Sequence, residues 1–146
     1  MNRLLRPFVD PAYFYAASHW VYCRNFRVFS KIIDGFSRWW FGCIIPGSAS
    51  IGKDCQFGYG GLGIVIHKDA CLGQGVNVGP GVVIGGHGRK PGAPRIGDNI
   101  IIGAGAKVLG PIVVGEGARI GANAVVNSNI PPFSTAVGVP ARVLRK

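Results

Sequence analysis

Acidic side chains are scarce: six aspartates and glutamates stand against sixteen lysines and arginines in 146 residues, a formal net charge of +10. The imbalance favours an anionic partner, and a phosphorylated cofactor, an anionic glycan, an acidic membrane surface and nucleic acid all carry the right sign. No nucleic-acid-binding motif accompanies the charge, so nucleic acid is not expected as a partner. Cysteine is limited to Cys23, Cys43, Cys55 and Cys71, with no C-x-x-C pair, and the N-terminus has neither a signal-peptide hydrophobic run nor a small-residue cleavage site. A reducing cytoplasm is the expected location. No segment reaches the roughly 20 apolar residues needed to span a bilayer, because Arg24, Arg27, Lys31 and Arg38 interrupt the one candidate region. Spanning is not expected on that ground, whereas lying on a membrane surface is not excluded.

A helix-length amphipathic pattern is also missing from residues 63–88, and what stands there is a beat of six. From Ile66 the aliphatic residues return at Leu72, Val78, Ile84, Ile96, Ile102, Val108, Val114, Ile120 and Val126, with Lys90 alone breaking the series. Glycine follows most of them directly, and the position two before each is small or apolar. Two inward residues separated by one outward residue make a short strand. Glycine, asparagine or aspartate then supplies the turn. Three such units make a coil of eighteen residues, and stacked coils make a parallel β-solenoid. The 24 glycines and ten prolines are therefore geometric, and the 48% hydrophobic content is enough for a core. An earlier pair, Ile51-Gly52 and Phe57-Gly58, keeps the beat three residues out of phase, which marks Tyr59–Leu62 as a bulge.

Ahead of the solenoid, Asp10-Pro11 reads as a helix start, with aspartate capping and proline at the first helical position. The helix is expected to run to about Ser30 and to be followed by a shorter one through Ile32–Phe41. Aromatic and basic residues crowd this region. It packs on the solenoid or on a neighbouring subunit, or it lies on a membrane with its arginines at the headgroups. The chain thus divides into a helical region over 1–45, a solenoid over 46–130 that carries a loop at 85–95, and a C-terminal cap over 131–146.

The repeat, with GIVIHKDACLG, IGAGAKVLGPIVVGEGARIGANAVV and the ending GVPARVLRK, resembles the left-handed β-helix hexapeptide acyltransferases, most closely the serine acetyltransferase-like branch that includes acetyltransferases of surface-polysaccharide synthesis. The resemblance covers about residues 46–146. It implies a mainly β fold, a left-handed parallel β-helix, a homotrimer with the active site between subunits, acetyl-CoA as donor and a histidine base. Two departures stand out. Where serine acetyltransferases carry a histidine before the GIVI segment this chain has Gly60, and where they carry a second histidine before a proline it has Ala93.

The catalytic assignment accordingly rests on this chain's own histidines. Stacking by eighteen residues places the tetrads beginning at Ile66, Ile84, Ile102 and Ile120 in one corner, which brings His67 and His87 near a common site. His67 is expected as general base and His87 as its assistant or an acceptor ligand, since an imidazole with a reference pKa of about 6.5 takes a hydroxyl proton near neutral pH. Gly85, Gly103, Ala104, Gly121 and Ala122 are expected to form a bare groove for the pantetheine arm, with Lys107 and Arg142 near the nucleotide phosphates. Arg89, Lys90 and Arg95, in and beside the loop, favour an anionic acceptor. No metal is expected: the γ-type carbonic anhydrases of the same fold need three histidines on zinc, and the solenoid holds two. The leading expectation is O-acetylation of a sugar hydroxyl in surface-polysaccharide synthesis. Serine O-acetylation and a non-catalytic membrane-surface scaffold are the alternatives. Val65, Val83 and Ile101 are expected to form an outward apolar stripe at the trimer interface.

Overall fold

A computed structural model describes residues 10–88 and 91–144. Asp10 is extended (φ −122°) and its carboxylate accepts a hydrogen bond from the Ala12 N–H at 2.9 Å, so the expected cap opens helix α1, Pro11–Cys23. The helix ends seven residues before Ser30. Asn25 takes a left-handed conformation (φ 67°), which asparagine tolerates better than branched residues, and breaks the chain into α1 and a longer α2, Arg27–Phe41. Gly42, also left-handed at φ 64°, closes α2 by donating to the Arg38 carbonyl. Phe14 of α1 packs against Phe36 and Phe41 of α2. Tyr15 fastens α1 to the first coil: its hydroxyl donates to the Ala49 carbonyl (2.9 Å) and accepts from the Ile51 N–H (3.0 Å).

The remainder is a three-faced parallel β-solenoid. One face stacks β1 (Ser50–Ile51), β4 (Cys71–Leu72), β7 (Arg95–Ile96) and β10 (Val113–Val114). The next stacks β2 (Gln56–Phe57), β5 (Asn77–Val78), β8 (Ile101–Ile102), β11 (Arg119–Ile120) and β13 (Thr135–Val137), with β14 (Arg142–Val143) returning antiparallel at the edge. The third stacks β3 (Val65–Ile66), β6 (Val83–Gly85), β9 (Lys107–Leu109) and β12 (Val125–Val126). Each aliphatic residue of the six-beat points inward, and Ile66, Val78, Ile84, Ile102, Val108, Val114, Ile120 and Val126 are all buried. The residue two before each fills the corner, as Ala70, Val76, Ala106, Ala118 and Ala124 do with no exposure. The expected bulge is a short 3-10 turn over Gly58–Gly61, with Tyr59 and Gly60 left-handed.

Register departs from the eighteen-residue rule at the first coil, where Ile51 pairs with Leu72 and Phe57 with Val78, each 21 residues on, at the last, where Arg119 pairs with Thr135, sixteen on, and most widely after β6. Ile66 pairs with Ile84, eighteen residues on, but Ile84 pairs with Val108, Leu72 with Ile96 and Val78 with Ile102, each 24 residues on. The segment between β6 and β7 therefore holds one complete extra hexad that leaves the wall. Because six residues were added, the beat survives while the corners change partners. Glycine has two separate uses in the wall. Directly after the aliphatic residue it permits close stacking: a β-carbon on Gly103 would lie 2.6 Å from the Ala122 nitrogen. Three residues after the aliphatic residue the backbone turns left-handed, as at Gly105 (φ 71°) and Asn123 (φ 56°).

Candidate active site

The corner between the third face and the first carries both solenoid histidines. His67 follows β3 and His87 follows β6, one coil above, and with Gly86, Gly88, Pro91 and Gly92 they line an open cavity of about 390 Å³. The His67 ring lies over Gly86, its Nε2 3.7 Å from where a β-carbon there would sit, an ordinary contact distance. Two groups compete for Nδ1 of His67. The backbone N–H of Asp69 donates to it at 3.2 Å, which places the neutral ring's proton on Nε2. The Asp69 carboxylate lies 3.8 Å from the same nitrogen, and by accepting an Nδ1 proton it would turn Nε2 into a base. His87 stands against Gly110 and also borders a second cavity of about 180 Å³, lined by Leu109, Gly110, Pro111, Ile112 and Asn127.

The expectation that four tetrads share this corner is overturned in part. Above His67 and His87 stand Leu109-Gly110-Pro111 and Asn127, while Gly103, Ala104, Gly121 and Ala122 occupy the corner between the second face and the third. The extra hexad displaces them, and the signal was present in Lys90, the one break in the beat after Ile66. Gly85 alone of the expected donor-groove residues stays at the histidine corner. Lys107 goes with the displaced column: its ammonium reaches across to donate to the Gly81 carbonyl at 2.8 Å. Arg142 is exposed in the closing hairpin, and Arg95 points outward from β7, on the face into which the loop returns. Arg89 and Lys90 lie outside the described residues. The outward stripe is corrected by the same shift, since Val65 and Val83 continue into Lys107 and Val125, while Ile101 stands on another face between Asn77 and Arg119. No group of three or more possible metal-ligating side chains exists among the described residues.

His19, outside the solenoid, is structural in its contacts: Nδ1 meets the Gly47 carbonyl at 2.7 Å and the ring stacks on Tyr15. The thiols of Cys43 and Cys55 are pushed above the ordinary range, first by burial. Both are therefore held neutral and serve the packing.

Residues 93–128 match the bacterial transferase hexapeptide family (six repeats). The chain is 42% identical over 129 residues to a serine acetyltransferase of Bacillus subtilis, covering 87% of this chain and 59% of that protein. It is 38% identical over 131 residues to one from Staphylococcus aureus strain Mu50, covering 88% and 61%. Among solved structures, a serine acetyltransferase from Brucella abortus in complex with coenzyme A superposes with a TM-score of 0.84 at 31% identity, over 92% of this chain and 54% of that one. The soybean serine acetyltransferase complexed with serine gives 0.82 at 34%, over 90% and 54%. The solenoid is the left-handed β-helix of these proteins. This chain spans about three fifths of the length of the serine acetyltransferases it matches.

Proposed function

We propose that this hexapeptide-repeat protein, a relative of the serine acetyltransferases in both sequence and fold, is an acetyl-CoA-dependent O-acetyltransferase. The observation that carries the reading is the pairing of His67 and His87 around one cavity beside bare glycine backbone. In the reaction the acceptor hydroxyl gives its proton to Nε2 of His67 as its oxygen attacks the thioester carbonyl; the C–S bond then breaks and the thiolate of CoA takes that proton. A glycine N–H in the corner would steady the oxyanion. For Nε2 to act as base, Nδ1 must carry the ring proton and turn it toward Asp69, which is the role we give that carboxylate.

The serine acetyltransferase relatives support serine as acceptor over the sugar hydroxyl expected from the resemblance to polysaccharide enzymes. A sugar remains the second reading on one specific ground: Gly60 and Ala93 stand where histidines are expected in the serine enzymes, and the histidines present occupy a different corner from Gly60. The donor groove is assigned to Gly103, Ala104, Gly121 and Ala122, with Lys107 at its side. Within one chain the third face separates this groove from the histidines, so we assign the complete site to a homotrimer in which one subunit's groove meets the next subunit's histidine corner. We assign the reaction to the cytoplasm, as the lack of C-x-x-C pairs suggests.

Labelled acetyl-CoA offered with L-serine, and separately with a panel of nucleotide-linked sugars, tests the acceptor by which product takes the label. Calorimetry showing no CoA binding at millimolar ligand would sink the enzyme reading and leave the non-catalytic scaffold.

A further inference from the structure

Helix α2 is inside out. Its serines and its aspartate face the protein: Ser30 and Ser37 are buried, and Asp34, its only acidic residue, accepts from the Ser18 hydroxyl (2.6 Å) and from the Gly47 N–H (3.3 Å). Most of its apolar residues face away, Phe41 being the one that packs against the core. Val28, Phe29, Ile32, Phe36, Trp39 and Trp40 recur at the spacing of one helical face, and all are exposed, Trp39 to 77% and Val28 to 71%. A soluble helix packs the other way round, and an apolar face this continuous requires an occupant.

We propose that this face seats on an anionic lipid surface, with α2 lying in the plane of the headgroups. Charge selects the occupant. Arg27, Lys31 and Arg38 form an exposed basic row along the edge of the apolar face, and Arg24 extends it from the preceding turn, its guanidinium 3.9 Å from the Trp20 ring centre. No acidic side chain of the helix points outward to balance them. A second copy docking through the same patch would set two such rows against each other on chains that each carry +10, whereas anionic headgroups neutralise them. The aromatic content fits the headgroup level, where Trp is enriched. At 15 residues α2 is about 22 Å long and is too short to cross a bilayer. The inference is independent of the acetyltransferase reading.

All three tryptophans of the chain, Trp20, Trp39 and Trp40, lie in this region and are exposed, so tryptophan emission reports on it alone. The full chain is titrated with phosphatidylcholine vesicles with and without about one third phosphatidylglycerol and followed by emission and co-sedimentation. The expected result is a blue shift and binding at least ten-fold stronger to the anionic vesicles, weakened by salt. Ile32→Glu and Phe29→Glu, which touch only the exposed face, are expected to reduce binding at least ten-fold, and Lys31→Glu several-fold, with the circular dichroism spectrum retained. Three outcomes overturn the proposal: no binding to anionic vesicles, equal binding to neutral ones, or binding indifferent to Ile32→Glu. Self-association in sedimentation that Ile32→Glu abolishes, in a chain that ignores vesicles, would assign the face to a second copy instead.

Discussion

Removing the His67 imidazole and removing the Asp69 charge are expected to differ by orders of magnitude, and the geometry sets the gap. His67→Ala deletes the proposed base and is expected to lower kcat by ~10²–10⁴, the usual range for loss of general-base assistance. Asp69→Asn deletes only the carboxylate that would hold the Nδ1 proton. Its oxygen is 3.8 Å from Nδ1, and the two side chains are 34% and 62% exposed, so solvent screens the pair. Exposed pairs of this kind contribute about 0.2–1 kcal/mol, which at RT of about 0.59 kcal/mol is a factor of about 1.4–5 in kcat. The assay is steady-state release of CoA with saturating acceptor, run with a direct measurement of CoA affinity. Affinity is expected to change less than two-fold in either variant, because neither side chain belongs to the groove proposed to hold the donor. An Asp69→Asn loss as large as that of His67→Ala would refute the reasoning by making the carboxylate itself indispensable. Near-normal activity in His67→Ala, with His87→Ala inactive, would exchange the two histidines' roles.

The remaining expectations concern assembly and stability. Val83→Lys, placed between Val65 and the already charged Lys107, is expected to weaken the homotrimer and activity together, and a stable monomer at micromolar concentration in the unmodified chain would remove the trimer from the proposal. Gly103→Ala must fit a β-carbon 2.6 Å from the Ala122 nitrogen and is expected to cost about 1–3 kcal/mol or to prevent folding, whereas Gly88→Ala meets nothing within 4 Å and leaves the melting temperature nearly unchanged. Burial raises the ionisation of Cys43, Cys55 and Tyr15 above their ordinary values of 9.0 for the thiols and 10.0 for the phenol. The folded state therefore keeps protons that the unfolded chain gives up; stability is full below about pH 9 and falls as pH rises through the folded values. Thermal melts in an alkaline series should show that fall, and Cys43→Ala should flatten its first part.

How far the sequence could be read depends on what each signal encodes. Ile66, Leu72, Val78 and their successors announce the solenoid because an inward slot every sixth residue is a local requirement, satisfied coil by coil without reference to the rest of the chain. Asp10-Pro11 announces a helix start for the same reason. The end of α1 was not legible, since Asn25 turns the chain without the glycine or proline that usually marks such a break. Stacking is a different kind of information. An insertion of four residues in the 85–95 loop would have shifted the phase and exposed itself, as the three-residue slip at Tyr59–Leu62 did. The insertion is six residues long, so the beat is restored at Ile96 and Lys90 alone betrays it. Every partner above the loop then moves by one corner: Gly110 and Asn127 arrive beside His87, and Gly103 and Gly121 leave for the next edge. On the proposed mechanism this displacement would make one subunit insufficient, because the histidines and the glycine-alanine column stand on opposite sides of the face bearing Val65, Val83, Lys107 and Val125. The face that sequence reading marked for assembly thus acquires a stronger reason to be one: with a neighbour's column docked beside it, the histidine corner would gain the donor groove that its own chain places out of reach.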